Sequence, residues 1–148
     1  MYDTILVPTD GSDRSLTALR HALELAEAVD ASVHALYVVD TETSWLTVSK
    51  SEVRDTLRNV GEDAARQALS SAERLAADFD VSLVTATREG SPDEAIIDYV
   101  TSEDIDLVVM ATHGRQGIGR RLLGSVTERV VRDAPVPVTT ISESAGDG

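Results

Sequence analysis

The sequence predicts a single α/β domain with a Rossmann-like, doubly wound sheet of five parallel strands and helices on both faces. Short runs rich in Val, Ile and Leu alternate along the chain with segments whose apolar residues recur at helical spacing. The fourth apolar run, Leu107 to Met110, is continuous, as expected of a parallel strand that is covered on both faces. A chain of 148 residues has the length of one ordinary domain, and no internal repeat is visible.

The predicted elements follow one another as strand and helix. The predicted strands are Ile5–Val7, Val33–Val39, Val81–Thr87, Leu107–Met110 and Val136–Ile141. The predicted helices run from Ser12 to about Val29, from Ser49 to about Asp78, from Ser91 to about Ser102, and from Ser125 to about Arg132. Residues 1–142 form the domain on this interpretation, and residues 143–148 are predicted to be a disordered tail.

Side chains suited to helix N-termini support these starts. Ser12 is a suitable N-cap, and Ser49 with Glu52 has the spacing of a capping box. Ser91 with Glu94 has the same spacing, and the proline between them suits the first helical position. We therefore expect all three serines to cap the helices that follow them.

The charge balance narrows the range of partners. Twenty-six acidic residues oppose thirteen basic ones, the formal net charge is −13, and Lys50 is the only lysine. An acidic surface repels nucleic-acid phosphates and anionic lipid, so neither nucleic acid nor a membrane is an expected partner. So little lysine beside so much Asp and Glu is typical of a protein that works in very high salt. An acidic protein from a moderate environment is the alternative.

Several classes of chemistry are excluded by composition. The chain has no cysteine, which removes disulfides, thiolate catalysis and cysteine zinc sites. His21 and His34 stand on a predicted helix and a predicted strand without clustered partners, so no metal site is expected from them.

The absence of an export segment and of an apolar run of about 20 residues predicts a soluble cytoplasmic protein.

The strongest local signal is the segment from Met110 to Thr127. A buried strand is followed by four glycines (Gly114, Gly117, Gly119 and Gly124), and a helix then begins at Gly124-Ser125. Glycines allow a ligand to approach the backbone, and a helix N-terminus offers unpaired N–H groups to an anion. Five arginines oppose one acid, Glu128, between residues 111 and 132. The segment predicts an anion cradle; a surface loop whose arginines pair with acids elsewhere is the alternative.

Better-known phosphate and catalytic motifs are missing. The loop after the first strand lacks the glycine fingerprint of dinucleotide-binding domains, and no Walker Gly-Lys-Ser/Thr occurs. The G-x-S-x-G of hydrolases and the serine-glycine-glycine loop of ATP pyrophosphatases are also absent. A phosphoacceptor domain could use Asp10 or Asp40, but it would lack its lysine. No catalytic residue is predicted.

Several separate motifs, in order, resemble the universal stress protein family over nearly the whole chain. They are Ile5-Leu6-Val7-Pro8-Thr9-Asp10-Gly11-Ser12, Tyr37-Val38-Val39-Asp40, Gly90-Ser91-Pro92, Thr112-His113-Gly114, Gly124-Ser125 and Ala134-Pro135-Val136-Pro137-Val138. The nucleotide-binding branch of that family has Gly, two residues, Gly, nine residues, then Gly and Ser or Thr. Gly114 and Gly124-Ser125 match this motif, whereas Ala111 replaces the first glycine.

The resemblance implies a site for an adenine nucleotide, ATP, alone or with Mg²⁺ or Mn²⁺ bound through its phosphates. The Val38 backbone would meet the adenine, and Asp10 would hydrogen-bond the adenine or the ribose. The remaining implied residues are Pro8 and Thr9 beside Asp10, Met110 and Ala111 at the ribose, and Gly114, Arg115, Gly124, Ser125, Val126 and Thr127 around the phosphates.

The resemblance also implies strand order 3-2-1-4-5 and a homodimer that pairs the last strand, Val136 to Ile141, with its copy. A nucleotide-dependent regulatory protein with little or no catalysis is the function it implies. Ala111 leaves open a second function, an interaction module with an empty pocket, and weak ATP hydrolysis is a third. Asp10 and Ser125 also admit a simpler role as helix caps, and His113 a structural one.

Overall fold

The computed structural model describes residues 2–41, 51–112 and 124–142, with the side chains of residues 51–54 left aside. The strands are β1 (Thr4–Pro8), β2 (Ser32–Asp40), β3 (Leu83–Gly90), β4 (Leu107–Ala111) and β5 (Val138–Ile141). The helices are α1 (Asp13–Val29), α2 (Ser51–Ala76), α3 (Pro92–Ser102) and α4 (Ser125–Asp133). All neighbouring strands pair in parallel in the order β3-β2-β1-β4-β5, which confirms the predicted architecture.

Alternating side chains of the central strands feed two separate cores. Ile5, Val7, Val33, Ala35 and Val109 face α1 and α2 on one side of the sheet. Leu6, Leu36, Val108 and Met110 face α3 and α4 on the other side. Because both faces of β1 and β4 are buried, these strands need apolar residues at every position, which explains their unbroken apolar runs.

The predicted helix starts are only partly correct. Ser12 caps α1, and its hydroxyl accepts a hydrogen bond from the Ser15 N–H at 3.2 Å. The capping box at α3 is wrong, because the Ser91 hydroxyl donates to Asp93 Oδ1 at 2.9 Å and makes no cap hydrogen bond. α4 begins at Ser125 as predicted, and its N-cap is Gly124 rather than Ser125. The predicted cap Ser49 lies outside the described residues.

Two predicted strands, the third and the fifth, also have wrong boundaries. β3 begins at Leu83 rather than Val81 and continues to Gly90, because β2 extends to Asp40 and pairs with it throughout. The charged end of β3 lies at the edge of the sheet, where solvent accepts it. β5 covers only Val138–Ile141, so Val136 and Pro137 of the predicted strand precede it. Proline has no N–H to give to a ladder, although the Pro137 carbonyl accepts from the Val108 N–H at 3.0 Å.

α2 approaches the sheet closely at a glycine. A Cβ atom added to Gly61 would lie 2.7 Å from Val39 Cγ1, which is closer than real Cβ atoms come. Val39 is 5% exposed, and its β-branched side chain has little rotamer freedom with which to withdraw. This glycine therefore lets α2 lie against β2 beside Val38. Among the described residues no helix is both long and apolar enough to cross a membrane.

Gly61→Ala is expected to lower the free energy of unfolding by about 1 kcal/mol, because overpacking outweighs the gain in helix propensity. In a Val39→Ala background the same substitution should be neutral or stabilising, since the methyl group then has room. Urea denaturation of the four proteins measures both effects. An equal loss in the two backgrounds would contradict the close approach.

Candidate functional site

A crevice opens where the strand order reverses between β1 and β4. α1 follows β1 onto one face of the sheet, and α4 follows β4 on the other face, so their connections separate at the carboxyl edge. Parallel α/β sheets bind ligands at such a point. Here the crevice is a cavity of about 310 Å³, lined by the ends of β1, β2 and β4 and by the first turns of α1, α3 and α4.

Ten of the twelve predicted site residues line this one cavity. They are Pro8, Thr9, Asp10, Val38, Met110, Ala111, Gly124, Ser125, Val126 and Thr127. The other two, Gly114 and Arg115, lie outside the described residues, as does His113. Residues separated by up to 119 positions in the chain thus meet at the carboxyl edge of the sheet.

One side of the cavity is apolar. Leu36 and Val38 of β2, Met110 of β4, and Pro92 and Ile96 of α3 line it together. Leu36, Ile96 and Met110 are almost fully buried, so this surface belongs to the second core and is held rigidly by it. Such a surface suits a flat, weakly polar group such as an aromatic base.

The opposite side carries the first turn of α4. Ser125, Val126 and Thr127 line the cavity, and the N-cap Gly124 has no side chain with which to satisfy their N–H groups. The first N–H groups of a helix have no partner within the helix, and the helix dipole makes this end positive. The start of α4 therefore presents free donors to the cavity, which suits a phosphate.

Thr127 fixes this helix to the end of β4. Its hydroxyl donates to the Ala111 carbonyl at 3.2 Å, and its side chain is buried. Ala111 is the last residue of β4, and positive φ angles among non-glycine residues of the described chain occur only at Asp30 and Asp104. Alanine in place of the family's first glycine therefore causes no backbone strain here. What remains of the difference is one methyl group beside the cavity.

A network of hydroxyl groups shapes the turn after β1. The Gly11 N–H donates to Thr9 Oγ1 at 3.1 Å, and Thr9 Oγ1 lies 2.9 Å from Ser15 Oγ. The Ser15 hydroxyl donates to the Ser12 carbonyl at 2.9 Å. Since each hydroxyl has one proton, Thr9 is the donor in the Thr9–Ser15 pair. Gly11 has φ +83°, and a Cβ atom added to it would lie 3.2 Å from Ala68 Cβ of α2, so glycine is needed at this turn.

Asp10 stands at the mouth of this turn with an exposed side chain. The Ser12 N–H donates to its Oδ1 at 2.9 Å, which orients the carboxylate before any ligand arrives. Partial burial raises the pKa of Asp10, but hydrogen bonds from Ser12 and the Arg14 charge together outweigh it and leave the pKa below its ordinary value. The group is therefore an ionised acceptor at neutral pH. The N-cap of α1 is Ser12, so Asp10 is not that cap.

Two arginines near the end of the arginine-rich segment pair with acidic residues, as expected for an ordinary surface segment. Arg129 lies 3.8 Å from Asp93, and Arg132 lies 3.2 Å from Asp133, so both have acidic partners and neither lines the cavity. Arg115, Arg120 and Arg121 lie outside the described residues. Arg129 and Arg132 therefore do not contribute to the lining of the cavity.

Seven further residues line the cavity without having been predicted: Ser12, Arg14, Ser15, Leu36, Pro92, Ile96 and Thr112. Helical periodicity could have found some of them. Residues 12, 14 and 15 form the first turn of α1, which must follow β1 into the carboxyl edge. His34, by contrast, lies outside this lining and forms a 2.7 Å hydrogen bond through Nδ1 with the Tyr99 hydroxyl.

The strand order, the crevice at its reversal and the open helix start define a doubly wound α/β domain with a ligand site at the switch point. The sequence model of the universal stress protein family matches residues 1–142. A universal stress protein of Methanocaldococcus jannaschii is 37% identical over an alignment of 151 positions, which covers 97% of this chain and 84% of that protein. The chain belongs to the universal stress protein family.

Solved structures agree over almost the full length. A universal stress protein from Lactobacillus plantarum superposes with a TM-score of 0.81 at 30% identity, covering 95% of this chain and 97% of that one. A universal stress protein crystallised in complex with cAMP superposes with a TM-score of 0.74 at 27% identity, again covering 95% and 97%.

The lowered pKa of Asp10 predicts how stability depends on pH. Ionised Asp10 stabilises the fold at pH values above the unfolded-state pKa of about 3.9, and this contribution disappears as the pH falls through the lower folded-state value. Asp10→Asn should therefore be less stable than the wild type near pH 7, and the difference should close in acid. Carbon-13 NMR of the carboxyl group gives the midpoint directly. A midpoint at or above the ordinary value would contradict the hydrogen-bonded carboxylate.

Proposed function

We propose that this protein binds an adenine nucleotide, ATP, in the crevice between β1 and β4 and serves as a nucleotide-dependent regulatory protein in a stress response. The observation that carries the proposal is the opposition of two unlike surfaces in one cavity. The apolar side around Val38 suits a base, and the open start of α4 suits phosphate.

The orientation of the nucleotide follows from the charges. Ionised Asp10 would repel phosphates, so it suits the ribose hydroxyls or the adenine amino group, to which it can act as acceptor. The base then lies toward Val38 and Pro92, and the phosphates extend toward Ser125. A cavity of about 310 Å³ suits a nucleoside-sized group, with the phosphate tail reaching the open rim. The related protein crystallised with cAMP holds a ligand of the same chemical class.

The cavity offers little support for rapid hydrolysis. Phosphoryl transfer needs a positioned water and metal ions on the phosphates. Asp10 is the only carboxylate among the described lining residues, and its Oδ1 is already engaged by the Ser12 N–H. We infer binding with little or no turnover, with Mg²⁺ or Mn²⁺ held through the phosphates themselves. An ATPase assay distinguishes binding without turnover from slow hydrolysis.

A second candidate is an interaction module of the same fold that binds no nucleotide. The Ala111 methyl group at the cavity favours it, because it takes space that glycine would leave free. Binding of ATP by Ala111→Gly but not by the wild type would select this candidate.

The proposal also includes an oligomeric state, a working environment and the extent of the domain. We infer a homodimer in which the edge strand β5 pairs with a second copy, through Val138–Ile141 rather than the longer segment expected from sequence. The acidic, lysine-poor surface supports a cytoplasm of very high salt as its working environment. A single domain over residues 1–142 completes the proposal, and the tail predicted at residues 143–148 lies outside the described residues.

Purified protein is expected to bind ATP saturably at high salt in the presence of Mg²⁺ or Mn²⁺. Ligand at one hundred times its dissociation constant should raise the free energy of unfolding by about 2.7 kcal/mol. Isothermal titration and thermal denaturation measure the two quantities. The absence of saturable binding with either metal would overturn the proposed function.

Thr127→Val removes the hydrogen bond that holds α4 to β4 while keeping the side-chain shape. We expect a loss of about 1 kcal/mol of stability and a several-fold weaker affinity for ATP, because the start of α4 is no longer fixed. Thr17→Val is the matched control, since the Thr17 hydroxyl also donates to a carbonyl, that of Asp13, but lies outside the cavity lining. Equal ATP affinities in the two variants would show that Thr127 does not position the site.

A further inference from the structure

The described lining of the cavity contains only two formally charged side chains, Asp10 and Arg14. Every other described lining residue is apolar, hydroxyl-bearing, proline or glycine. Both charges sit on the β1–α1 side, two residues on either side of Ser12. The two charges are opposite, so Arg14 offsets the repulsion that Asp10 alone would exert on an anionic ligand.

Arg14 can donate hydrogen bonds to a ligand in the cavity. It is the second residue of α1 and is half-buried, and within residues 2–41, 51–112 and 124–142 no carboxylate forms an ion pair with it. Its charge nevertheless reaches Asp10, since it contributes to holding the Asp10 pKa low. A guanidinium group has five N–H donors and stays protonated, so an anion in the cavity would meet unspent donors.

We propose that Arg14 is a specificity-determining residue that makes the cavity prefer nucleotides with more phosphates. This inference rests on the proposed adenine-nucleotide function and adds to it which phosphorylation state the site selects. The free N–H groups of α4 can serve the first phosphate of any nucleotide, whereas Arg14 adds a full positive charge whose effect increases with the charge of the ligand.

Removal of Arg14 leaves Asp10 as the only formal charge in the described lining. Repulsion by Asp10 then grows with each phosphate added, while uncharged adenosine is indifferent to it. The loss of affinity in Arg14→Gln should therefore rise from adenosine through AMP and ADP to ATP. We expect a loss of roughly tenfold or more for ATP and less than about twofold for adenosine, as for one charge-assisted contact.

The experiment measures dissociation constants for adenosine, AMP, ADP and ATP by isothermal titration, at low and at high ionic strength. The proteins are the wild type, Arg14→Gln, Arg14→Lys and Arg20→Gln. Arg20 lies on the same helix, is exposed and is not part of the cavity lining, so its variant has the same net charge as Arg14→Gln. Circular dichroism and thermal denaturation establish that each variant is folded.

The inference is supported if Arg14→Gln loses more affinity with each added phosphate and if this loss decreases at high salt. Arg14→Lys should nearly keep the wild-type ratios between the four dissociation constants. Arg20→Gln should bind all four ligands as the wild type does. Equal losses for adenosine and ATP would overturn the inference, because Arg14 would then act through structure. Loss in Arg14→Lys as large as in Arg14→Gln would overturn it too, since the charge would not be the cause. In either case ATP binding by the wild type would leave the proposed function standing; failure of the wild type to bind any of the four ligands would remove both.

Discussion

The parallel pairing of β1 with β4 is the constraint on which the rest of this molecule depends. Ile5 pairs with Leu107 and Leu6 with Val108, so the two strands end at the same edge. Their connections must then leave toward opposite faces, because the strand order reverses between them. The Asp10 turn and the first turn of α4 are held apart by this geometry and face a common cavity. Thr127 and the hydroxyl network at Thr9 fix the two sides of that cavity rather than create it.

The architecture was predictable because it depends on patterns that tertiary packing reinforces. Strands buried on both faces require continuous apolar runs, and Leu107 to Met110 shows this clearly. Ten site residues that the family resemblance implies meet at one edge, since parallel strands all point their carboxyl ends the same way. The family motif then attached roles to those residues, and these roles remain predictions. Ala111 departs from the family motif, yet its strand conformation accommodates a side chain.

What the sequence could not predict depends on partners that are distant in the chain or on competition between local hydrogen bonds. Ser91 has the right spacing for a capping box, but Asp93 takes its hydroxyl. β3 runs on to Gly90 because β2 offers it a partner there, despite the charged Arg88 and Glu89. Nothing in the sequence pattern distinguishes Arg14, and only the position of α1 at the crevice brings it to the cavity. The arginines after Gly124 looked functional and instead face acids.

One crevice thus holds a rigid apolar surface, an ionised carboxylate and a helix start without a side-chain cap, and each of the three suits a different part of a nucleotide. The most direct measurement is a titration of nitrogen-15-labelled protein with ATP, followed by NMR of the backbone amides. Saturable shifts should be largest at residues 124–127 and should extend to Asp10 and Val38. Shifts confined to surfaces away from the crevice, such as the Arg66 and Arg74 face of α2, would contradict the central claim.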